Sequence, residues 1–189
     1  MTLRGKGRTL RRRLPLLLFA LLLSVLALRT ARGLFPLRYR DLVESEAARN
    51  GLRPELLCGL IMTESSFNAS AVSPAGAMGL TQLTPDTFYW LLFKAGDRTE
   101  YAPSALLEPA LNLRFGAYNL TLLLDEFGQL PTALAAYNAG RTRVRGWLAD
   151  EAYSRDGQTL YNIPYPETDR YVKRVRAYAA VYKLLYYLF

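Results

Sequence analysis

The amino-acid sequence predicts a single, mainly α-helical domain preceded by an apolar amino-terminal segment. Apolar residues recur at helical spacing in one segment after another beyond residue 40, and prolines and glycines separate these segments. The connections are short, and no part of the chain outside residues 73–83 suggests a strand. Apolar residues make up 51% of the 189-residue chain, which excludes a disordered protein and is enough for the core of one domain.

The first 38 residues differ from the rest and are assigned to a separate segment, with the domain over residues 39–189. Six Lys/Arg occur up to Arg13, and an apolar run of fifteen residues follows from Leu14 to Leu28. This pattern is typical of an export signal, and the run is slightly shorter than the roughly 17 to 25 residues of a spanning helix. Because Ala31-Arg32-Gly33 is a poor cleavage site, we expect a retained membrane anchor rather than a cleaved signal peptide. In both cases the basic residues keep the amino terminus in the cytoplasm and the domain outside.

The charge distribution argues against a nucleic-acid-binding protein. The formal net charge is +8, but residues 1–40 hold 10 Lys/Arg and no acidic residue, so residues 41–189 carry a net charge of −2. A folded nucleic-acid-binding domain normally carries its basic patch on the domain itself. We therefore expect no nucleic-acid partner.

Cysteine and histidine usage excludes several mechanisms. The chain has no histidine, which removes Ser-His-Asp and Cys-His catalysis, and its single cysteine, Cys58, cannot form an intramolecular disulfide. We expect Cys58 to pack as a small apolar side chain, and we expect no metal and no organic cofactor. Of the common catalytic mechanisms, acid–base catalysis by carboxyl groups remains.

Prolines and capping residues set the expected helix bounds. Residues 96–108 are the most loop-like part of the domain. An apolar and aromatic stripe on the last helix is expected to pack in the core: Tyr171, Val175, Tyr178, Tyr182 and Leu185. The expected helices run from near Asp41 to Asn50-Gly51, from Pro54 to Glu64, from Pro85 (with Thr84 as N-cap) to about Lys94, from Pro109 to Phe127 with Gly128 as its stop, from Pro131 to Gly140, through Val144 and Trp147, and from Pro166 to the carboxyl terminus.

Glu64 ends the helix that begins at Pro54 and lies on the same stripe as Leu57, Leu60 and Ile61. A carboxyl group on a partly desolvated face has a raised pKa and can donate a proton near neutral pH. The other interpretation is a carboxyl at a frayed helix end in water, and position alone does not separate the two.

Four sequence motifs, in this order, resemble those of the soluble-lytic-transglycosylase catalytic domain. They are Glu64-Ser65, S-P-A-G-A-M-G-L-T-Q-L-T-P-D-T from Ser73, A-L-A-A-Y-N-A-G from Ala133 and I-P-Y-P-E-T-D-R-Y-V from Ile163. The resemblance covers residues 39–182. It implies a mainly helical, lysozyme-like fold of the goose-type kind and peptidoglycan glycan strands as substrate. We expect the protein to be a monomer.

The resemblance also implies a mechanism with one carboxyl group. Glycoside cleavage normally uses two, but the only second candidate considered, Asp86, lies in a first helical turn where an acid simply complements the helix dipole. Family enzymes use one Glu, here Glu64, first to protonate the glycosidic oxygen and then to take a proton from the C6 hydroxyl of the same muramic acid. The product is a 1,6-anhydro ring.

Further site residues follow from the resemblance. Tyr137 matches the tyrosine that family members bring toward the acid, although a tyrosine among alanines can also be core. Gln82 needs partners for its amide, either sugar hydroxyls or backbone. Ser65 can instead bond to its own helix, and Glu167 can simply complement a helix dipole. The residues expected to bind substrate are Ser65, Ser73, Gln82, Asn138 and Glu167.

The chain departs from the family pattern at Thr81 and Thr84, where methionines are common. We expect the loss of two flexible side chains from the cleft wall to alter the fit of substrate. Two alternatives stay open: a hydrolytic muramidase of similar fold, favoured by a second well-placed carboxylate, and a non-catalytic peptidoglycan-binding or assembly protein.

Overall fold

The structure, a computed structural model, describes residues 6–188, with side chains described from residue 14 onward. It divides into two compact units, residues 1–36 and residues 37–189. The first unit is one helix, α1 (Lys6–Leu34). Arg4, one of the basic residues of the export pattern, lies outside the described residues.

Helix α1 includes an apolar stretch that is longer than the run counted in the sequence. The stretch Leu14–Leu34 has 21 residues, a mean hydropathy of 2.2 and no buried residue. The helix continues through Arg29 and Arg32, which extends the span beyond the fifteen residues that end at Leu28. By length and composition it can cross a membrane, and a signal sequence meets the same criteria.

The second unit is helical, which confirms the expected fold class. Between residues 37 and 188 there is no strand, and the β-type pairs are isolated bridges joining Val72 to Met78, Met78 to Leu83, and Ser154 to Leu160. The expected loop over residues 96–108 contains a short 3₁₀ helix, Pro103–Leu107. The α-helices are α2 (Arg40–Arg49), α3 (Pro54–Glu64), α4 (Pro85–Ala95), α5 (Pro109–Phe127), α6 (Leu130–Ala139), α7 (Arg141–Leu148) and α8 (Pro166–Tyr186).

Local chemistry sets these bounds as expected. Thr84 is the N-cap of α4, and its hydroxyl oxygen accepts a hydrogen bond of 3.3 Å from the backbone N–H of Thr87. Gly96 and Gly128 end α4 and α5 in the left-handed conformation, each with φ 67°.

Helices α3 and α8 pack against each other in opposite directions and form the centre of the domain. The end of α3 meets the start of α8, where the side chains of Glu64 and Tyr171 are in contact. Halfway along, Gly59 lets the two backbones approach so closely that a Cβ atom at this position would lie 2.6 Å from the carbonyl oxygen of Val175. Leu57, Leu60 and Ile61 of α3 are fully buried. This packing positions the catalytic-candidate carboxyl at one end of the helix pair.

Cys58 packs as the sequence predicts. It is fully buried, and burial raises the pKa of its thiol to about 12. The thiol is therefore protonated and unreactive at physiological pH.

Candidate active site

Glu64 is the last residue of α3, and its carboxyl group is partly withdrawn from solvent. Burial raises the pKa of Glu64 from 4.5 to about 7, and a hydrogen bond from Tyr171 acts in the opposite direction. The Tyr171 hydroxyl donates this bond to Oε1 at 2.5 Å. No other described residue bonds to Oε2, so this oxygen can carry the proton for transfer. The interpretation as a carboxyl at a frayed end in water is therefore wrong.

Tyr171 is a site residue that the sequence analysis assigned to the core. It is indeed buried, with 7% of its surface exposed, and it lies on the predicted stripe of α8. Burial, followed by the charge of Glu64, raises the pKa of its phenol well above the ordinary value of 10.0. A buried tyrosine must find a partner for its hydroxyl, and the acid at the end of an apolar helix was the available one.

Tyr137 lies near Glu64 but makes a different hydrogen bond from the one expected of a residue that touches the acid. Burial and then the charge of Glu64 raise the pKa of Tyr137, which places the two groups within electrostatic reach. Its hydroxyl donates to the carbonyl oxygen of Thr81 at 2.9 Å. In this structure Tyr137 therefore stabilises the turn that contains Thr81.

A hydrogen-bond network centred on Asn112 holds residues 73–83, which we call the Gly-rich turn. The sequence analysis did not identify this network. Asn112 Oδ1 accepts bonds from the backbone N–H and the hydroxyl of Thr81, both at 2.8 Å. Asn112 Nδ2 donates to the carbonyl oxygens of Met78 at 2.9 Å and Leu106 at 2.8 Å. All four bonding positions of the side-chain amide are thus filled.

Two glycines make room for this network. A Cβ atom on Gly79 would lie 2.3 Å from Asn112 Nδ2, and one on Gly116 would lie 2.3 Å from the hydroxyl oxygen of Thr81. Gly79 also has a φ of 76°, which favours glycine. Gly116, on the buried face of α5, is therefore needed for close approach to Thr81.

The expectation for Thr81 and Thr84 requires correction. Thr81 is fully buried and bonded to Asn112, so it does not form the wall of an open cleft. Thr84 caps α4, and its hydroxyl also donates to the hydroxyl of Thr87 at 2.9 Å. Both threonines have structural hydrogen bonds that a methionine cannot make.

Gln82 and Ser65 support the same turn. Gln82 has a φ of 50°, and its Nε2 donates to the carbonyl oxygens of Ala71 at 3.1 Å and Gly79 at 2.9 Å. The Ser65 hydroxyl donates to Leu80 O at 2.8 Å and, more weakly, to Ile61 O at 3.3 Å. Backbone groups therefore satisfy the Gln82 amide nitrogen, and its Oε1 remains to accept a bond from a ligand.

The other predicted binding residues are placed as follows. Ser73 Oγ accepts a bond of 3.0 Å from the N–H of Ala77 within the turn. Asn138 Oδ1 accepts a bond of 2.8 Å from the Thr168 hydroxyl, which joins α6 to α8. Glu167 is exposed in the first turn of α8. None of these three makes a direct bond to Glu64 among the described contacts.

A cavity of about 350 Å³ opens beside Tyr137. Its wall includes Trp90 and Arg141, whose guanidinium carbon lies 4.6 Å from the centre of the Trp90 ring. Asp86 also lines the cavity, and Glu64 is not among the lining residues. The pKa of Glu64 is raised by burial, and no neighbouring carboxylate among the described residues contributes to this shift. The cavity is large enough for part of a sugar chain beside Tyr137.

The described residues hold no cluster of three or more His, Cys, Asp or Glu side chains that could bind a metal ion. The chemistry available at this site is therefore that of one carboxylic acid, a tyrosine that bonds to it, and a rigid polar turn.

The sequence is similar to those of several known proteins. The family described as "Transglycosylase SLT domain" matches residues 41–160. The chain is 36% identical over 151 residues to the soluble lytic murein transglycosylase of Salmonella typhimurium, covering 79% of this chain and 23% of that protein. It is 35% identical over 127 residues to membrane-bound lytic murein transglycosylase C of Mannheimia succiniciproducens, covering 62% of this chain and 36% of that protein.

Solved structures give the same result. The 70 kDa soluble lytic transglycosylase of Escherichia coli superposes with a TM-score of 0.72 at 31% identity, covering 82% of this chain and 25% of that one. An inactive Glu→Gln mutant of lytic transglycosylase Slt from Pseudomonas aeruginosa superposes with a TM-score of 0.68 at 33% identity, covering 79% and 24%. These similarities confirm the lysozyme-like expectation for the fold. The chain spans about a quarter of the length of these soluble relatives.

Proposed function

Since this chain belongs to the transglycosylase SLT domain family, we propose that it is a peptidoglycan lytic transglycosylase. It cleaves the β-1,4 bond between N-acetylmuramic acid and N-acetylglucosamine without water. Its relatives are named lytic murein transglycosylases, one of them soluble and one membrane-bound. The activity of those longer proteins is carried here by the residues of the site.

The observation that supports this proposal most directly is the state of Glu64. Burial raises its pKa to about 7, so a large fraction of the carboxyl groups is protonated at neutral pH. An acid with a pKa near the working pH is suited to give a proton in one step and to take one in the next. A binding protein has no use for such a group, which argues against the non-catalytic alternative.

The reaction proceeds in two proton transfers. Protonated Glu64 gives its proton to the glycosidic oxygen, the bond from this oxygen to C1 of the muramic acid breaks, and the N-acetylglucosamine end leaves as an alcohol. The Glu64 carboxylate then takes the proton of the C6 hydroxyl, and O6 bonds to C1 to close the 1,6-anhydro ring. Glu64 ends protonated, and no water is consumed. The C6 hydroxyl is tethered to the reacting ring, which gives it the advantage of an intramolecular nucleophile.

The remaining side chains position the acid and the substrate. Tyr171 holds Oε1 of Glu64 and leaves Oε2 for proton transfer. Tyr137 supports the acid through the turn that it braces at Thr81. The glycan contacts are assigned to Ser65, Ser73, Gln82, Asn138 and Glu167.

We propose that the domain acts outside the cytoplasm, as a monomer, without metal or organic cofactor. The apolar helix α1 suits either insertion or export, and some relatives are named membrane-bound. We assign α1 to a retained anchor, with the catalytic domain facing the cell wall.

The product decides between the proposed reaction and hydrolysis. Peptidoglycan digested in heavy-oxygen water should release fragments that end in 1,6-anhydromuramic acid, about 18 Da lighter than hydrolytic products because one water is lost, and that carry no label. Labelled reducing ends as the main product would establish a muramidase instead. Binding without any cleavage would establish a peptidoglycan-binding protein.

A further inference from the structure

A second cavity lies at the end of the α3/α8 pair that is opposite to Glu64. It has a volume of about 250 Å³, and it is lined by three cationic side chains, Arg53, Arg176 and Lys183, and by the carboxylate of Glu55. We call it the basic cavity. Its apolar wall is formed by Leu56, Leu130, Ala179 and Ala180.

The three cationic side chains that line the basic cavity outnumber its single carboxylate. Arg53 Nη1 lies 3.7 Å from Glu55 Oε1, so one of the three positive charges has a partner. Among the described side chains, no ion pair includes Arg176 or Lys183. Residues 41–189 carry a net charge of −2, so this local excess does not reflect a generally basic domain. An anionic ligand complements it.

Exposed apolar side chains follow Lys183 of the basic cavity along the chain. Leu184 directly follows Lys183 in α8 and is 64% exposed, and Leu188 beyond the end of α8 is 48% exposed. A soluble phosphate or carboxylate would use the cations and leave these leucines in water. A phospholipid surface offers anionic headgroups to the cations and acyl chains to the leucines. The combination therefore favours a membrane over a soluble anion.

We propose that the basic cavity docks on the anionic phospholipid headgroups of a membrane. Because α3 and α8 run in opposite directions, Glu55 lines the basic cavity at one end of α3 while Glu64 occupies the other end. The nine helical steps from Glu55 to Glu64 span roughly 14 Å at the rise of an α-helix. A membrane at the basic cavity leaves the carboxyl of Glu64 directed away from the lipid, toward a glycan strand.

Connection to α1 makes such docking effective even where each contact is weak. Only residues 35–39 separate the end of α1 from the start of α2. If α1 is in a membrane, this short connection keeps the domain at a high effective concentration of lipid headgroups. Docking and anchoring are separate properties, because the lining residues of the basic cavity all belong to the second unit.

The test uses the full chain in nanodiscs of phosphatidylcholine, with or without phosphatidylglycerol. Acetic anhydride modifies exposed lysine amines, and mass spectrometry follows Lys183, with Lys94 on α4 as the reference inside the same molecule. We expect Lys183 to react about fivefold more slowly in the anionic discs, the factor that one cation contributes near such a surface, while Lys94 reacts at the same rate in both. High salt should remove the difference, because exposed charges are then screened.

Two double variants assign the protection to the cavity. Arg53→Gln with Arg176→Gln keeps the Lys183 reporter and should reduce the ratio of docked to undocked protein about 25-fold, since each cation contributes roughly a factor of five. Arg170→Gln with Arg174→Gln removes the same charge from exposed positions, both in α8, outside the cavity, and should keep the protection.

Three results would overturn the proposal. Equal reactivity of Lys183 in both kinds of disc excludes docking on anionic lipid. Equal loss of protection in both double variants means that total charge matters and the cavity does not. Full protection by glycerol phosphate in neutral discs identifies a soluble phosphate as the ligand. Cleavage of peptidoglycan does not enter any of these measurements, so the proposed enzymatic activity stands or falls separately.

Discussion

The Gly-rich turn and the neighbouring carboxyl group of Glu64 differ in how fully their buried polar atoms are hydrogen-bonded. The turn is held by the side-chain amide of Asn112 in α5, which makes four hydrogen bonds, to Thr81, Met78 and Leu106. The carboxyl of Glu64 receives one hydrogen bond, from Tyr171, and burial disfavours its charged form. The turn is therefore a stabilising support, while Glu64 is kept at a cost to stability that makes it a useful acid.

The largest expected effect is on turnover when the acid is removed. Glu64→Gln keeps the shape of the side chain and loses the proton, so the rate of peptidoglycan cleavage should fall at least ~100-fold. The release of anhydromuropeptides measures this rate. Circular dichroism should be unchanged, and retained turnover in a folded variant would end the proposed mechanism.

The supporting turn should show the opposite behaviour, with a large effect on stability. Asn112→Leu is similar in volume but leaves the N–H of Thr81 and the carbonyl oxygen of Leu106 without these partners, and the carbonyl oxygen of Met78 keeps only its bond from the N–H of Leu83. The change should reduce the free energy of unfolding by about 3–5 kcal/mol. Urea denaturation measures the change. Asn162→Leu, at an exposed position, is the matched control and should change stability little. A small effect at Asn112 would mean that water replaces the lost bonds.

The same Glu64→Gln variant should be more stable than the wild type in alkaline solution. The pKa of Glu64 is about 7 in the folded protein against 4.5 for a free side chain, so the folded state binds the extra proton between these values. Stability is therefore lost as the pH rises through this window, and Gln avoids the loss. Because the carboxyl is partly open to solvent, we expect a gain of about 2 kcal/mol at pH 8. The gain should disappear near pH 4, and denaturation at both pH values checks it.

Two tyrosine variants separate direct contact with the acid from support of the turn. The hydrogen bond of Tyr171 lowers the pKa of Glu64, so Tyr171→Phe should shift the alkaline limb of the pH–rate profile to higher pH and lower the rate about tenfold. Tyr137→Phe removes a bond to Thr81 O and should leave that limb in place. Equal shifts in both variants would show that Tyr137 also bonds to the acid during the reaction.

The smallest effect is expected from removing the amino-terminal segment. Both regions compared here lie within residues 37–189, which form their own compact unit. A chain without residues 1–38 should therefore be soluble and cleave peptidoglycan fragments at an unchanged rate. The segment fused to a reporter should direct export. Amino-terminal sequencing of the mature protein then shows whether α1 is retained, and a start near Leu34 would contradict the proposed anchor.

Helix bounds could be predicted because their causes are local. Pro54, Pro109 and Pro166 mark first turns, and Gly96 and Gly128 end helices, within a few residues of each sequence expectation. The raised pKa of Glu64 was one of two interpretations of its position on an apolar stripe, and burial in the folded domain decides in its favour.

The contacts between distant residues could not be predicted in the same way. The stripe of α8 indicated that Tyr171 is buried, but it did not indicate which residue would receive its hydroxyl. Asn112 lies 31 residues from Thr81 in sequence, and an asparagine inside a predicted helix gives no sign of a partner in a distant turn. The assignment of Thr81 to a cleft wall was wrong for this reason: its partner was unknown.

The hydrogen bond between Glu64 and Tyr171 has a consequence for the order in which the candidate active site is assembled. Its partners are 107 residues apart, so the bond forms only after most of the chain has been synthesised and folded. A nascent chain that ends before α8 contains Glu64 but lacks Tyr171 and the rest of the helix that packs against α3. Docking of α8 is thus a late assembly step that completes the surroundings of the carboxyl group. An unfinished chain therefore lacks the contact that the proposed catalytic acid makes in the folded domain.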